Sequence, residues 1–115
     1  MENARSEIGS GAILPLTLSL NELCTNAIKY GALSNETGRV RISSTVDENI
    51  QLFTLTWAET GGPIVAEPTR RSFGTRLLGA LATHLHGDVR VRYEPHGLVY
   101  QLGVPLALLR ALRAN

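Results

Sequence analysis

The sequence is short of cysteine, of charge of one sign and of long apolar runs. Its single cysteine, Cys24, excludes an internal disulfide framework and a cysteine metal cluster. Cys24 falls beside an apolar helical stripe and reads as a small core residue. No apolar run approaches the ~20 residues needed to span a bilayer. The start, residues 1–7, lacks the charged-then-apolar layout of a signal peptide. The expected compartment is therefore the cytoplasm, with no direct membrane contact. Lys and Arg number 11 against 10 Asp and Glu, a net charge of +1. That balance gives no global argument for nucleic acid or an acidic membrane surface. Histidine is scarce: His84, His86 and His96. The first two lie two apart on a helix and point in different directions, which is poor geometry for a shared metal. All three read as ordinary residues. Repeats and low-complexity segments are also missing.

What is present is the composition of one globular domain. Hydrophobic residues make up 43% and charged residues 18% of 115, a length that supports a single core.

The most informative stretch is 21–31, Asn-Glu-Leu-Cys-Thr-Asn-Ala-Ile-Lys-Tyr-Gly. At ~100° per residue it reads as a helix with two chemically different faces. Glu22, Asn26 and Lys29 share one narrow stripe. Leu16, Leu20, Leu23 and Ala27 share another, roughly opposite, fit to bury against a sheet. A carboxylate beside an amide oxygen suits a hard cation such as Mg2+, and a neighbouring ammonium suits phosphates. A solvated helix face would look similar. However, Asn is normally favoured at caps, not deep in a helix.

The spacing predicts a leader or linker end over 1–12 and a helix from Pro15 to Tyr30. Pro15 suits a first turn, and Gly31 a left-handed stop. Strands are expected at Arg39–Val46 and Ile50–Trp57, where alternation has period two. An irregular stretch, 58–73, carries Gly61, Gly62, Pro63 and Pro68, and loops of that length are often functional. A second helix is expected from Gly74 to His86, with Leu77, Leu78, Leu81 and Leu85 inward and Gly87 as its stop. Strands at Asp88–Glu94 and Leu98–Val104 follow, and residues 106–113 suit a short terminal helix. Adjacent hairpins argue for the α+β class: a two-layer α/β sandwich, with helices on one face of a mostly antiparallel, mixed sheet.

The long loop adds chemistry. Ser72-Phe73-Gly74-Thr75-Arg76 leads into the second helix, and free N–H groups at a helix start favour phosphate. Arg70, Arg71 and Arg76 cluster around it. Trp57-Ala58-Glu59 ends a strand in a carboxylate able to accept from an exocyclic amine such as that of adenine. Gly61-Gly62-Pro63 follows at once.

Taken together, these motifs resemble the GHKL (Bergerat) ATP-binding fold shared by gyrase, MutL and histidine kinases. Within it the chain is most similar to the catalytic domain of the HWE histidine kinases. Residues 23–34 are close to that family's N box, and Trp57-x-Glu59 is its Trp-x-Glu. Gly61-Gly62-Pro63 and Phe73-Gly74-Thr75-Arg76-Leu77 match its two glycine boxes, and residues 97–106 its final strand.

The resemblance covers about 14–106 and implies a catalytic domain over 13–106, with a tail or short helix over 107–115. It implies ATP and Mg2+ as cofactors. Asn26 would bind the metal, and Glu22 would hold the metal-bound water or polarise the accepting group. Lys29 and Tyr30 would meet the phosphates. Glu59 would recognise adenine, with Gly61 and Gly62 beside the base. Residues 63–73 would form a lid, and Phe73, Gly74, Thr75 and Arg76 would complete the site.

The implied partners are a phosphoacceptor histidine domain, in cis or in trans, and a response regulator. The isolated domain would be a monomer. Two positions depart from the family pattern: Asn21 replaces the N-box His, and Ser72 replaces the glycine that opens the second glycine box. Those departures motivate one alternative, a degenerate module that binds a signalling partner without turning over ATP. A stand-alone anti-sigma-type serine kinase is the other.

Overall fold

The structure, a computed structural model, describes residues 9–63 and 73–111, with the backbone alone for 10, 73–77 and 111. Helix α1 spans Ser10–Tyr30 and is followed by a 3-10 turn, Ala32–Ser34. Strands β1 (Arg39–Asp47) and β2 (Leu52–Thr60) come next, then helix α2 (Phe73–His84). Strands β3 (Asp88–Glu94) and β4 (Gly97–Pro105) and helix α3 (Leu106–Ala111) complete the order.

The sheet order is β1-β2-β4-β3, and each neighbouring pair is antiparallel. Register places Trp57 opposite Ile42 on one side and Tyr100 on the other. With side chains alternating between faces, Phe53, Leu55 and Trp57 share the inner face with Tyr100, Leu102 and Val104, and all six are buried. Against them α1 brings Ala12, Leu16, Leu23 and Ala27, with Leu20 and Cys24 packed at the margin. The opposite face presents Thr54, Thr56, Gln101, Arg90 and Arg92. The result is the two-layer α+β sandwich the sequence suggests.

Helix α1 starts at Ser10, five residues before Pro15, so the expected leader ends inside the helix. Packing explains the extension. Ala12 is fully buried, and the Gly9 N–H donates to the Leu109 carbonyl of α3 at 2.9 Å. Pro15 therefore sits in the second turn, where it removes one helical hydrogen bond near the end. Leu106 and Leu109 are both fully buried, which ties α3 to the core.

Other boundaries move for similar reasons. Strand β2 begins at Leu52, after a turn in which Gln51 takes φ +53°, and runs on to Thr60. Residues 58–60, expected in the loop, pair instead with Ala58↔Arg41, Glu59↔Val40 and Thr60↔Arg39. At the end of α2 the left-handed residue is His86, at φ +53°, not Gly87. The His86 N–H donates to the Thr83 carbonyl (2.9 Å) and the Gly87 N–H to the Ala82 carbonyl (2.8 Å), a Schellman pattern. Space is short at Gly87: a Cβ there would stand 2.7 Å from Leu102 Cδ1 and 3.0 Å from the Gly103 carbonyl oxygen. Of the expected core leucines of α2, Leu78 packs against the core, Leu81 is half-buried and Leu85 fully buried. Ala82 joins them, and the side chain of Leu77 lies outside the described residues.

Among the described residues the Tyr100 hydroxyl, on a residue 1% exposed, has no partner in hydrogen-bond geometry. Burial pushes its pKa up to about 12, opposed by the nearby Ser19 hydroxyl. Ser19 itself donates to the Pro15 carbonyl at 2.9 Å.

Candidate functional site

Helix α1 carries its two stripes as its periodicity requires. Leu16, Leu23 and Ala27 are buried, while Glu22 and Asn26 are half-buried and Lys29 is exposed. Tyr30, at the last position of the helix, is exposed too. The ion pairs among the described residues, Arg90–Asp88 and Arg92–Glu94, lie on β3 and leave this stripe untouched. A carboxylate and an amide oxygen one turn apart are thus presented at the helix surface, with an ammonium one turn further on.

Where α1 ends, the chain is bound to β2 by a buried carboxyl group. Glu59 is 2% exposed. Its Oε1 accepts from the Ala32 N–H at 2.9 Å, and its Oε2 from the Trp57 indole N–H at 2.8 Å. Trp57 and Glu59 are two apart on one strand, so both point to the inner face. The sequence offers Glu59 as an acceptor for an exocyclic amine; in the structure its carboxyl is buried, with one hydrogen bond to each oxygen.

The glycines around this junction are set by close approach. Gly31 has φ −116° and is not the left-handed stop expected of it. A Cβ there would collide with Glu59 Oε1, so its missing side chain makes room for the carboxyl group. Gly61 does take φ +75°, and a Cβ there would stand 2.5 Å from the Thr37 carbonyl oxygen. Thr37 Oγ1 donates to the Gly61 carbonyl at 2.7 Å. A Cβ on Gly62 would collide with Ala32 Cα. The first glycine box is therefore packed on residues 32–37.

Phe73, Gly74, Thr75 and Arg76 form the opening of α2, with their side chains outside the described residues. Helix α2 packs beside α1. Ser72, Arg70, Arg71 and the expected lid lie outside the described residues, apart from Pro63 and Phe73 at its ends. The Ala32 N–H and the Trp57 indole were not singled out from sequence. The signal for them was strand parity, which puts Glu59 on the face of Phe53, Leu55 and Trp57.

Among the described residues no group of three His, Cys, Asp or Glu stands together, and no helix is long and apolar enough to cross a membrane. No protein-family model matches the chain. The chain is 47% identical over 94 residues to a blue-light-activated histidine kinase of Brucella anthropi, covering 79% of this chain and 19% of that protein. It is 43% identical over 94 residues to the blue-light-activated histidine kinase of Brucella ovis, with the same coverage. It thus spans about a fifth of the length of these relatives.

Among solved structures, the histidine kinase domain of an Erythrobacter litoralis blue-light activated histidine kinase matches with a TM-score of 0.74 and 21% identity. That match covers 90% of this chain and 52% of that one. The Acinetobacter baumannii histidine kinase AdeS matches at 0.64 and 21%, covering 80% and 46%. At those identities the likeness is one of fold. The sequence similarity across most of the chain and the shared fold together identify it as a catalytic domain of the HWE family of histidine kinases.

Proposed function

We propose that this domain binds Mg-ATP and presents the γ-phosphate to a histidine on a separate phosphoacceptor domain, in cis or in trans. The observation that supports it best is the α1 stripe of Glu22, Asn26 and Lys29, at least partly open to solvent on the helix whose Leu16, Leu23 and Ala27 are buried. The donor set fits the metal. Mg2+ is commonly held by one or two side-chain oxygens, with phosphates and water filling the rest, and the Asn26 amide oxygen with Glu22 one turn away supplies that set. Bound Mg2+ would neutralise phosphate charge, and the rest of the work is positioning. Lys29 and Tyr30 would hold the phosphates from the last turn of α1. Gly74, Thr75 and Arg76 would meet them from the opening of α2, where free N–H groups favour anions. Glu22 would polarise the accepting group. The base would lie by the Gly61–Gly62 turn, close to Glu59. A response regulator would receive the phosphoryl group next, and the domain would act as a single copy in the cytoplasm.

Calorimetric titration of ATP with and without Mg2+ tests the reading. Binding should strengthen with Mg2+, and Asn26→Ala should remove that gain. Equal affinity in parent and variant refutes the role of Asn26. A second reading is a domain of this fold that binds a signalling partner without turnover. It is favoured by Asn21, which stands exposed on α1 where the family's N box carries His. Absence of ATP binding by the folded chain would select it.

A further inference from the structure

We propose that Thr37 is a positioning residue for nucleotide binding: its hydroxyl group holds the first glycine box in shape, and Asn35 holds Thr37. The consequence for binding rests on the nucleotide reading above. Gly61 and Gly62 directly follow β2, and two glycines in succession give a backbone wide freedom of its own. The segment after α1 removes that freedom. Thr37 Oγ1 donates to the Gly61 carbonyl at 2.7 Å. The hydroxyl has one proton, and its 3.3 Å approach to Asn35 Oδ1 is the longer of its two contacts, so the proton goes to Gly61. The Thr37 carbonyl oxygen would lie 2.5 Å from a Cβ on Gly61, whose φ of +75° is one that glycine supplies. Asn35 fixes the segment from within. Its Oδ1 accepts from the Thr37 N–H at 3.2 Å and from the Gly38 N–H at 2.9 Å, an Asx turn. A Cβ on Gly38 would collide with the Ala32 carbonyl oxygen, so residues 32–38 close on themselves. Ala32 is tied to β2 in its turn, through Glu59. The turn by which the base would lie is thus set by the side chains of Asn35 and Thr37, and neither belongs to the motifs read from the sequence. A turn shaped before its ligand arrives has less freedom left to lose on binding.

The test is calorimetric titration of the full 115-residue chain with ATP, in the presence and absence of Mg2+. Beside it stands the amide NMR signal of Gly62, whose nitrogen shares a peptide group with the Gly61 carbonyl. Thr37 is exposed, so Thr37→Val removes the donor without opening the core, and Thr37→Ser keeps it. In Thr37→Val the Gly62 signal should move, and ATP affinity should fall about fivefold, as for one lost hydrogen bond. The factor should be the same with and without Mg2+, because Glu22 and Asn26 are untouched. Thr37→Ser should keep the signal and the affinity of the parent. Asn35→Ala releases Thr37 and should act in the same direction, and it decides the matter if Thr37→Val does not fold. Unchanged ATP affinity in Thr37→Val overturns the proposal, whether or not the Gly62 signal moves. So does a loss that appears only with Mg2+, or a Thr37→Ser chain that binds as weakly as Thr37→Val. Those outcomes leave the nucleotide reading standing, since the parent binds in each of them. A folded parent that binds no ATP overturns that reading, and the positioning role falls with it.

Discussion

Gly31→Ala is a small change with a large expected effect. At φ −116° the backbone does not need the left-handed freedom of glycine. The obstacle is the Glu59 carboxyl, whose Oε1 occupies the place of the new methyl group. Moving it away strips the Ala32 N–H and the Trp57 indole N–H of their acceptor. Each buried donor left unmatched costs about 1–3 kcal/mol, so the substitution should destabilise by about 2–6 kcal/mol. Against a domain stability of about 5–15 kcal/mol, that is readily measured. Urea unfolding followed by the fluorescence of Trp57, 3% exposed, is the assay. The double-mutant cycle carries the logic. Glu59→Ala loses the same two hydrogen bonds, and in that background the Gly31 methyl meets an open space. What remains is a 3.2 Å contact with Ala27 Cα. Gly31→Ala should then cost much less than it does in the parent, so that most of the ~2–6 kcal/mol appears as coupling between the two sites. Additivity within about 0.5 kcal/mol would refute the steric explanation.

Other substitutions probe other parts of the fold. His86→Gly should stabilise the chain by about 0.5–1 kcal/mol, because a left-handed residue with a Cβ carries a penalty of about 1–2 kcal/mol that glycine's extra chain entropy only partly offsets; an unchanged urea midpoint would contradict it. Leu109→Ala should destabilise by about 2–5 kcal/mol, since Leu109 is fully buried; a change under about 0.5 kcal/mol would mean that α3 is peripheral. Tyr100 makes stability depend on alkaline pH. Its folded pKa of about 12 lies above the ordinary 10, so the unfolded chain loses this proton first. The contribution is whole below pH 10 and is lost as pH rises toward 12, by about 3 kcal/mol in all. Tyr100→Phe should flatten that fall, which urea titrations at pH 9, 10 and 11 would read.

The parts of the fold set by local pattern were legible in the sequence. The α1 stripes follow from helical period, and β3 matches its expected span because its alternation is clean and its ends are marked by Gly87 and Pro95. The misplaced boundaries are those fixed by partners distant in sequence. The first turn of α1 exists because Gly9 meets Leu109, across nearly the whole chain. The last three residues of β2 are strand because β1 lies alongside to pair with them. Gly31 and Gly87 were both read as left-handed stops from their place after a helix. Each is instead crowded by what another strand brings up to it, Glu59 in one case and Leu102 in the other. A glycine's position in the chain indicates that a side chain is unwelcome, but not whether the backbone or a neighbour is the reason.

Glu59 shows how far the sequence could have been pushed. Phe53, Leu55 and Trp57 were recognised as one face of a strand, and two more residues along the same alternation is Glu59. With the expected strand stopping at Trp57, Glu59 fell in the irregular stretch 58–73 and was read only as an acceptor for an amine. Continuing the alternation would have sent it inward, and a buried carboxyl group requires donors. One donor was two residues away on the same face, in the indole of Trp57. The other had to come from a backbone N–H brought near by the fold, and Gly31, the residue before Ala32, was the mark of its close approach. The Trp-x-Glu spacing thus has a physical meaning independent of any ligand. An i, i+2 pair on a buried strand face lets the tryptophan satisfy one carboxyl oxygen and leaves the other to hold the helix that carries Glu22, Asn26 and Lys29. If that is the reason for the spacing, Trp57→Phe should weaken nucleotide binding through loss of the indole bond to Glu59, and equal affinities for Mg-ATP in the folded parent and variant would refute it.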